Sequence, residues 1–146
     1  MEILKPTTTC RMVAFDKFGR LLLAKRPKTS KSRGGEIDFI GGKVDPGETV
    51  QNGLIREVKE ELGLCLDPRE LEDLTTVRDN DKGAQFIRKY LIYHLPVEVN
   101  QVTQLPEHDL LIFVQPATAL QLVTFMPHRQ AILSAESSSY ELARVA

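Results

Sequence analysis

The chain has 146 residues, of which 42% are hydrophobic and 27% are charged. This length and composition predict one globular domain over residues 1–146, with no room for a second. Its 19 Lys and Arg residues nearly balance 20 Asp and Glu residues, so the formal net charge is −1. Bulk charge therefore attracts no polyanion, so polymeric nucleic acid is not expected as a partner, and any anion site must be built locally.

The chain also lacks the sequence features of membrane and secreted proteins. Its apolar runs, such as 110–114, are far shorter than the roughly 20 residues that cross a bilayer. Residues 1–6 show no basic stretch followed by an apolar one, which a secretory signal would contain. Cys10 and Cys65 form no CxxC pair. We therefore expect a cytoplasmic protein with free thiols and no membrane partner.

Two kinds of sequence pattern predict a chain that mixes strands with helices. Runs rich in Val, Thr, Leu and aromatic residues predict extended segments at 7–15, 20–25, 36–40, 71–78, 84–95 and 110–115. Apolar residues at steps of three and four, or a leading proline, predict helices at 49–62, 116–122 and 128–143. Because strands outnumber helices and hairpins mix with crossovers, we expect an α+β layered sandwich and not an all-parallel doubly wound sheet.

Turn-forming residues mark the connections between these elements. Residues 16–19 and 79–83 contain the residue types of tight turns between strands, and residues 26–35 form a basic loop. Gly63 stands where the glycine that follows a helix belongs, so the first helix is expected to end just before it. In the last helix, the apolar run 131–133 is expected to face inward.

Three glutamates of the first predicted helix carry the strongest chemical signal. Glu57, Glu60 and Glu61 stand at i, i+3 and i+4, so their carboxylates share one stripe of the helix. Like charges at this spacing cost a few tenths of a kcal/mol per pair, and a hard divalent cation would relieve the repulsion. Oxygen ligands suit Mg²⁺ or Mn²⁺, and Mg²⁺ commonly binds substrate phosphates as well. The pattern therefore favours a phosphorylated substrate.

The segment before this helix distinguishes a binding site from an ordinary solvated helix face. Gly41–Lys43 and Pro46–Glu48 are predicted to form a glycine-containing loop that leads directly into the helix. Glycines allow the backbone to approach a ligand closely, and a helix N-terminus favours anions. The loop and the acidic stripe are therefore expected to meet at one site.

Residues 42–64, GKVDPGETVQNGLIREVKEELGL, resemble the Nudix box, whose pattern is GX5EX7REUXEEXGU with U a bulky aliphatic residue. The residues at the fixed positions are Gly42, Glu48, Arg56, Glu57, Val58, Glu60, Glu61, Gly63 and Leu64. The resemblance implies the Nudix fold, an α/β/α sandwich with a mixed sheet, over the whole chain. It also implies hydrolysis of a diphosphate linkage in a nucleoside diphosphate linked to another group.

Further roles follow from the same resemblance. It implies that Glu57, Glu60 and Glu61 hold the metal, Mg²⁺ or alternatively Mn²⁺, together with a backbone carbonyl of Gly42 or its neighbour Gly41. Arg56 is expected to pair with Glu48 and to orient the helix carboxylates.

Within this resemblance the general base has more than one candidate. A carboxylate takes the proton of the attacking water, and in this family it is a helix residue such as Glu57 or Glu61 or an acid on a later loop. Glu107 is the loop candidate here, because it lies six residues before the pair Phe113 and Val114. The alternatives are that Glu107 is a solvated loop acid and that Glu57 acts only as a metal ligand.

Basic residues near these motifs are candidates for holding the phosphates of a substrate. Arg11 and Lys25 lie on predicted strands, while Arg26 follows the second strand and Lys43 follows the double glycine. Arg26 and Lys43 are the two that we assign to the phosphates. The alternative for each is an exposed structural position.

The pocket for the nucleobase is expected to include residues from two distant segments. Asp38 and Phe39 stand where MutT-like sequences often have WxFPGG, so Asp38 could accept hydrogen bonds from a base and Phe39 could stack on one or lie in the core. The absence of the tryptophan argues against a strict specificity for oxidised purines. Phe125 and His128 precede the last helix, in a region that often closes this pocket in the family, although such a His can also be a helix N-terminal residue.

The substrate class is narrowed by sequence signatures that this chain does not carry. No proline stands at 79–81, where ADP-ribose hydrolases tend to have one, and no tyrosine lies nearby, as it does in dinucleoside polyphosphate hydrolases. The leading expectation is a nucleoside triphosphate pyrophosphohydrolase that acts on a small nucleotide. The alternatives are a hydrolase of nucleotide sugars or other nucleoside diphosphate derivatives, and a regulator that binds without cleaving. A homodimer is compatible with the family.

Overall fold

The computed structural model describes residues 5–96 and 110–145, with side chains through residue 137. Within these residues the chain forms seven strands, three α-helices and one short 3-10 helix. The strands are β1 (Thr7–Phe15), β2 (Leu21–Lys25), β3 (Ile37–Asp38), β4 (Ile40–Lys43), β5 (Glu72–Asp81), β6 (Ala84–His94) and β7 (Leu110–Val114). The helices are α1 (Val50–Leu62), α2 (Pro116–Leu122) and α3 (Met126–Val145), and the 3-10 helix covers Pro68–Glu70.

The described strands form one mixed sheet with β1 near its centre. β1 runs parallel to β6 along its whole length. On its other side β1 pairs antiparallel with β4 over Thr9–Met12 and with β2 at Phe15. β5 extends the sheet beyond β6, while β3 and β7 both pair with β2. Parallel and antiparallel pairs therefore share one sheet, which confirms the predicted mixed α+β class.

Helices cover both faces of β1 because its sequence is apolar on both faces. Cys10, Met12 and Ala14 form one core cluster with Leu54 and Val58 of α1. The alternate residues of β1 face the opposite way, since successive side chains of a strand point to opposite faces. Among these, Val13 and Phe15 form a second cluster with residues of α2 and α3. The two clusters confirm the α/β/α sandwich that the sequence resemblance implied.

Helix α1 begins and ends where its sequence predicts. The hydroxyl of Thr49 accepts a hydrogen bond from the backbone N–H of Asn52 at 3.1 Å, which satisfies one of the unpaired donors at a helix start. Gly63 has φ 70°, a left-handed conformation, and its N–H donates to the carbonyl of Lys59. These two caps fix the length of the helix that carries the glutamates.

The structure corrects two of the predicted connections. Residues 41–43 belong to β4 and not to a loop, because their backbone pairs with β1. The predicted turn 79–83 shortens to Lys82 and Gly83, whose φ angles of 50° and 81° suit a two-residue hairpin. In both places pairing with a neighbouring strand extends a strand into residues whose composition favours turns, with a partner distant in sequence for β4 and an adjacent hairpin strand for β5.

The C-terminal part of the chain differs in smaller ways. Helix α3 begins at Met126, two residues before the predicted start. Ala131 and Ile132 are buried as predicted, whereas Leu133 is 52% exposed. Successive residues of a helix point in different directions, so three in a row cannot all face the core.

Neither cysteine takes part in a disulfide bond. Cys10 and Cys65 are both free, as the sequence predicts, with Cys10 buried and Cys65 exposed. Burial raises the pKa of the Cys10 thiol to about 11. Over residues 5–96 and 110–145, no helix has the length and apolar character needed to cross a membrane.

Candidate active site

A cleft of about 500 Å³ lies where β1 and β4 meet α1. Two carboxylates of α1, Glu57 and Glu61, line this cleft. Five cationic side chains also line it: Arg11, Arg26, Arg33, Lys43 and Arg88. Carboxylates and cations in one cavity suit a ligand that combines a divalent cation with a phosphate anion.

Arg56 holds the acidic side of the cleft in place. Its guanidinium donates two hydrogen bonds to the carboxylate of Glu48, at 2.9 and 3.1 Å, which is the pair that the sequence resemblance implied. It also donates to Glu57 at 3.1 Å and to the carbonyl of Lys43 at 3.0 Å. The hydrogen bonds from Arg56 lower the pKa of Glu48. One side chain therefore connects the loop before α1, the end of β4 and a glutamate of α1.

The double glycine allows α1 to lie against β4. At Gly42 an added Cβ would lie 2.5 Å from Cδ of Glu57, so a larger residue would displace that carboxylate. At Gly41 a Cβ would lie 2.0 Å from the carbonyl oxygen of Cys10 on the neighbouring strand. The N–H of Gly41 donates to the carboxylate of Glu61 at 3.1 Å. The absence of side chains here brings both carboxylates onto the strand.

The electrostatics of Glu57 fit a bound cation. Burial raises the pKa of Glu57, and the neighbouring carboxylate of Glu61 raises it further, although Arg56 opposes the shift. In the described part of the chain, no three His, Cys, Asp or Glu side chains converge into a complete metal site. Two carboxylates beside the backbone of Gly42 are an oxygen donor set that suits a hard cation with further ligands from water or substrate.

Two other predicted glutamates are not placed in the cleft. Glu60 is not among the residues that line it, and the Glu60 side chain is 55% exposed at 3.5 Å from Arg56. The helix turn explains this position, because Glu60 is offset from Glu57 and Glu61 around the axis of α1. Glu107 lies outside the described residues.

The cationic side of the cleft is built around one buried carboxylate. Asp38 on β3 is 1% exposed. Its Oδ2 atom lies 2.9 Å from Arg26, 3.3 Å from Arg11 and 3.8 Å from Arg33. Burial alone would raise the pKa of Asp38, but Arg11 and the hydrogen bond from His128 hold it well below its ordinary value. Asp38 is therefore an ionised anchor for three guanidiniums.

His128 connects this anchor to the core. Its Nε2 lies 2.5 Å from Oδ1 of Asp38, and its Nδ1 lies 2.7 Å from the hydroxyl of Tyr90. Burial lowers the pKa of His128 to about 4, even though Asp38 favours the charged form. The neutral ring of His128 has a single N–H, at Nε2, which donates a hydrogen bond to the ionised Asp38. Its Nδ1 therefore accepts a hydrogen bond from the hydroxyl of Tyr90.

The burial of these residues favours a structural role over contact with a nucleobase. Asp38, Phe39 and His128 are exposed by 1%, 0% and 1% respectively, so their side chains are packed inside the protein. Phe39 packs edge-on against the rings of Tyr90 and His128. The sequence identified residues near the cleft, but packing between the sheet and α3 buries their side chains.

Phe125 lies closer to the solvent, at a second cavity of about 410 Å³. The guanidinium carbon of Arg33 lies 4.0 Å from the centre of the Phe125 ring, and that of Arg88 lies 4.7 Å from it. The two cavities share Ser32, Arg33 and Asp81, so they adjoin. Phe125 thus remains a candidate for the nucleobase side of the site.

The sequence interpretation assigned no site role to six residues that line the cleft, namely Thr9, Ser32, Arg33, Asp81, Phe86 and Arg88. Thr9, Arg33 and Arg88 come from β1, the basic loop and β6. Thr9 and Arg88 are paired across the parallel β1–β6 ladder, and Arg33 lies in the loop with a positive φ of 50°. Alternation along β6 was the one available signal for Arg88, because it places Arg88 on the same face as Phe86 and Tyr90.

Comparison with known proteins agrees with this geometry. The family model described as the NUDIX domain matches residues 5–140. A CTP pyrophosphohydrolase of Escherichia coli (strain K12) is 31% identical over 106 residues, which are 73% of this chain and 74% of that protein. The crystal structure of a MutT protein from Methanosarcina mazei Go1 has a TM-score of 0.79 at 21% identity, covering 94% of this chain and 99% of that one. The crystal structure of a MutT NUDIX hydrolase from Burkholderia pseudomallei has a TM-score of 0.76 at 26% identity, covering 90% and 98%.

Proposed function

The chain belongs to the Nudix family and is a hydrolase of phosphorus-containing anhydrides, and from this premise we propose that it converts nucleoside triphosphates to nucleoside monophosphates and pyrophosphate. One observation carries the proposal, namely that Glu57 and Glu61 share a cleft with five cationic side chains. The similarity to a CTP pyrophosphohydrolase supports a triphosphate substrate. A phosphate chain would be held by the cations while its anhydride bond faces the carboxylates.

The residues present fit a divalent cation, for which we propose Mg²⁺, with Mn²⁺ as a substitute. Glu57, Glu61 and the carbonyl of Gly42 would hold it, and Glu60 is the weaker candidate because of its exposed position. When bound, the cation supplies positive charge to phosphoryl oxygens and makes a water molecule more acidic. Burial raises the pKa of Glu57 and the neighbouring carboxylate of Glu61 raises it further, and a bound cation would offset both effects.

The protein residues have two further roles, which are to position the substrate and the carboxylates and to accept a proton. Arg26 and Lys43 bind phosphoryl oxygens, and Arg56 fixes the carboxylate of Glu57 through its hydrogen bond. An oxygen of Glu57 accepts the proton of the attacking water, because this carboxylate lines the same cleft as the cations that hold the phosphate chain. Glu61 is held by the N–H of Gly41 and serves the cation, and Glu107 is the alternative base. Water adds to phosphorus as the bridging oxygen departs with pyrophosphate.

The proposal is tested by measuring product release from a panel of nucleoside triphosphates, nucleotide sugars and ADP-ribose in the presence of Mg²⁺. We expect nucleoside monophosphate and pyrophosphate from at least one triphosphate. Glu61→Gln should lower kcat at least about 100-fold, because it removes a ligand charge without changing the side-chain shape. The matched control is Glu72→Gln, which makes the same change at an exposed position of β5.

Three outcomes would contradict the proposal. A Glu61→Gln variant with kcat within threefold of wild type would show that the carboxylate of Glu61 does not take part in the reaction. Cleavage of nucleotide sugars with no cleavage of any triphosphate would show that the substrates are nucleotide sugars and not nucleoside triphosphates. Tight binding of nucleotides without product release would favour a regulator over an enzyme.

A further inference from the structure

The anchor of the cleft leaves a local excess of positive charge. Arg11, Arg26 and Arg33 all contact the same oxygen of Asp38, so three guanidiniums share one carboxylate. His128 contacts the other oxygen as a neutral ring and adds no charge. Burial and the nearby charges of Arg11 and Arg26 lower the pKa of Arg33, although Asp38 and Glu36 oppose the shift. An anion in the cleft would balance the excess.

Two donors beside this cluster have no acceptor in the described protein. The Thr9 side chain is 5% exposed, and its Oγ1 makes no hydrogen bond to any described residue. The Nη1 atom of Arg33 is likewise buried without a partner. Both residues line the cleft. Buried polar groups are ordinarily hydrogen-bonded, so two unpaired donors at one cavity point to an acceptor that the described residues do not supply.

The sheet register identifies the chemistry of that acceptor. Thr9 pairs with Lys43 on β4 and with Arg88 on β6, and paired residues of neighbouring strands project from the same face. Arg11 follows two residues along β1 and projects from this face as well. The Thr9 hydroxyl is therefore flanked by cations on three sides. A ligand atom that approaches it must be an acceptor with negative charge, and a phosphoryl oxygen meets both requirements.

We propose that Thr9, Arg11, Arg26 and Arg33 form an oxyanion subsite that binds the phosphate chain of the substrate without a metal. The hydroxyl of Thr9 and Nη1 of Arg33 donate to phosphoryl oxygens, and the guanidiniums balance their charge. The assignment rests on the proposed hydrolysis of a nucleoside triphosphate. It adds that a free triphosphate chain is preferred over the neutral sugar of a nucleotide sugar, because only the former brings further charge to the subsite.

The test measures binding of inorganic tripolyphosphate to the whole protein in EDTA by calorimetry. Wild type should bind, and Thr9→Val should weaken binding about 10- to 100-fold, which corresponds to the loss of one hydrogen bond to a charged group. Thr9→Ser, which keeps the hydroxyl, should bind within twofold of wild type. Without ligand, Thr9→Val should unfold at or above the wild-type temperature, because it removes a buried hydroxyl that has no partner.

Several results would overturn the assignment. They are an absence of binding by wild type in EDTA, equal binding by Thr9→Val, and a clear loss of thermal stability in Thr9→Val, which would give the hydroxyl a structural partner.

The oxyanion subsite and the proposed function can be tested independently of each other. Glu61→Gln should abolish hydrolysis, whereas tripolyphosphate should bind in EDTA at least as tightly as to wild type, because the change removes a negative charge that interacts with Arg11. If no triphosphate is hydrolysed while metal-free binding still depends on Thr9, the proposed function fails and the subsite stands. If triphosphates are hydrolysed while Thr9→Val binds tripolyphosphate as wild type does, the subsite fails and the function stands.

Discussion

At the scale of single residues, the absence of a side chain at Gly42 has a direct chemical reason. The Glu57 carboxylate occupies the space that a Cβ would need, at distances of 2.5 to 2.7 Å from its Cδ and two oxygens. Gly42 does not have a positive φ, so the backbone itself would accept another residue. The constraint therefore comes from the position of the Glu57 carboxylate and not from the conformation of the strand.

Gly42→Ala should separate activity from stability. The added methyl group must push aside the far end of the Glu57 side chain, which is flexible, so the fold should survive with a small change in Tm. Because a displacement of about 1 Å in a reacting group can cost 100-fold in rate, kcat should fall by at least tenfold. The measurements are kcat on the best triphosphate and the thermal unfolding temperature. A variant with unchanged kcat would show that Glu57 does not need its present position.

At the scale of elements, α1 carries the two carboxylates that line the cleft, and its two ends are set locally. Thr49 and Gly63 cap it, and Leu54 and Val58 pack it on the sheet. Arg56 then ties the helix to the preceding segment through Glu48. The caps and the ion pair lie within a continuous stretch of the sequence, which is why the helix and its Arg56–Glu48 pair could be predicted from residue spacing.

Removal of the N-terminal cap should destabilise the protein without changing its chemistry. Thr49→Ala loses the hydrogen bond from the N–H of Asn52, which costs about 1 kcal/mol at such a position. For a domain of this size we expect a fall in Tm of about 2–4 °C and kcat within twofold of wild type. Thr49→Ser keeps the acceptor and serves as the control, so it should unfold close to the wild-type temperature. An equal loss in both variants would contradict a capping role.

At the scale of the whole molecule, a buried polar chain connects α3 to the cleft. Tyr90 on β6 donates to His128, His128 donates to Asp38, and Asp38 holds the three guanidiniums. The network joins residues as far apart as 90 positions in sequence. It also makes the cleft cationic in a protein whose formal net charge is −1.

This network predicts a loss of stability in acid. The pKa of His128 is lowered from 6.5 to about 4 in the folded protein, so the unfolded chain binds its proton more readily. Its contribution to stability is complete above pH 6.5 and is lost as the pH falls toward 4. The pKa of Asp38 is also lowered, so protonation of Asp38 removes further stability at still lower pH.

The measurement is Tm between pH 7 and pH 4 for wild type and for His128→Gln. Glutamine can donate to Asp38 but does not titrate, so the variant should start with a lower Tm and lose less of it across this range. The expected difference in slope corresponds to one additional proton bound on unfolding of the wild type. Parallel curves for the two proteins would show that His128 does not titrate between the two states.

Much of the fold and part of the site could be predicted because the signals are local. The spacing of apolar residues and caps predicts α1, and the nine fixed positions of residues 42–64 identify the family. The turns and the glycine positions predict the first hairpin. The roles of Glu57, Glu61 and Glu107 in catalysis stay predictions that the proposed experiments test.

Only the tertiary structure decided which residues share the cleft. Sequence periodicity reports the environment of a segment, but it does not report which strand becomes its neighbour. The parallel pairing of β1 with β6 brings Thr9 beside Arg88, and packing of α3 on the sheet buries His128 and Asp38 beneath the guanidiniums. The sequence by itself determined the family, the layered class and the acidic helix. The cationic half of the site required long-range pairing, because its members come from segments that meet only in the folded sheet.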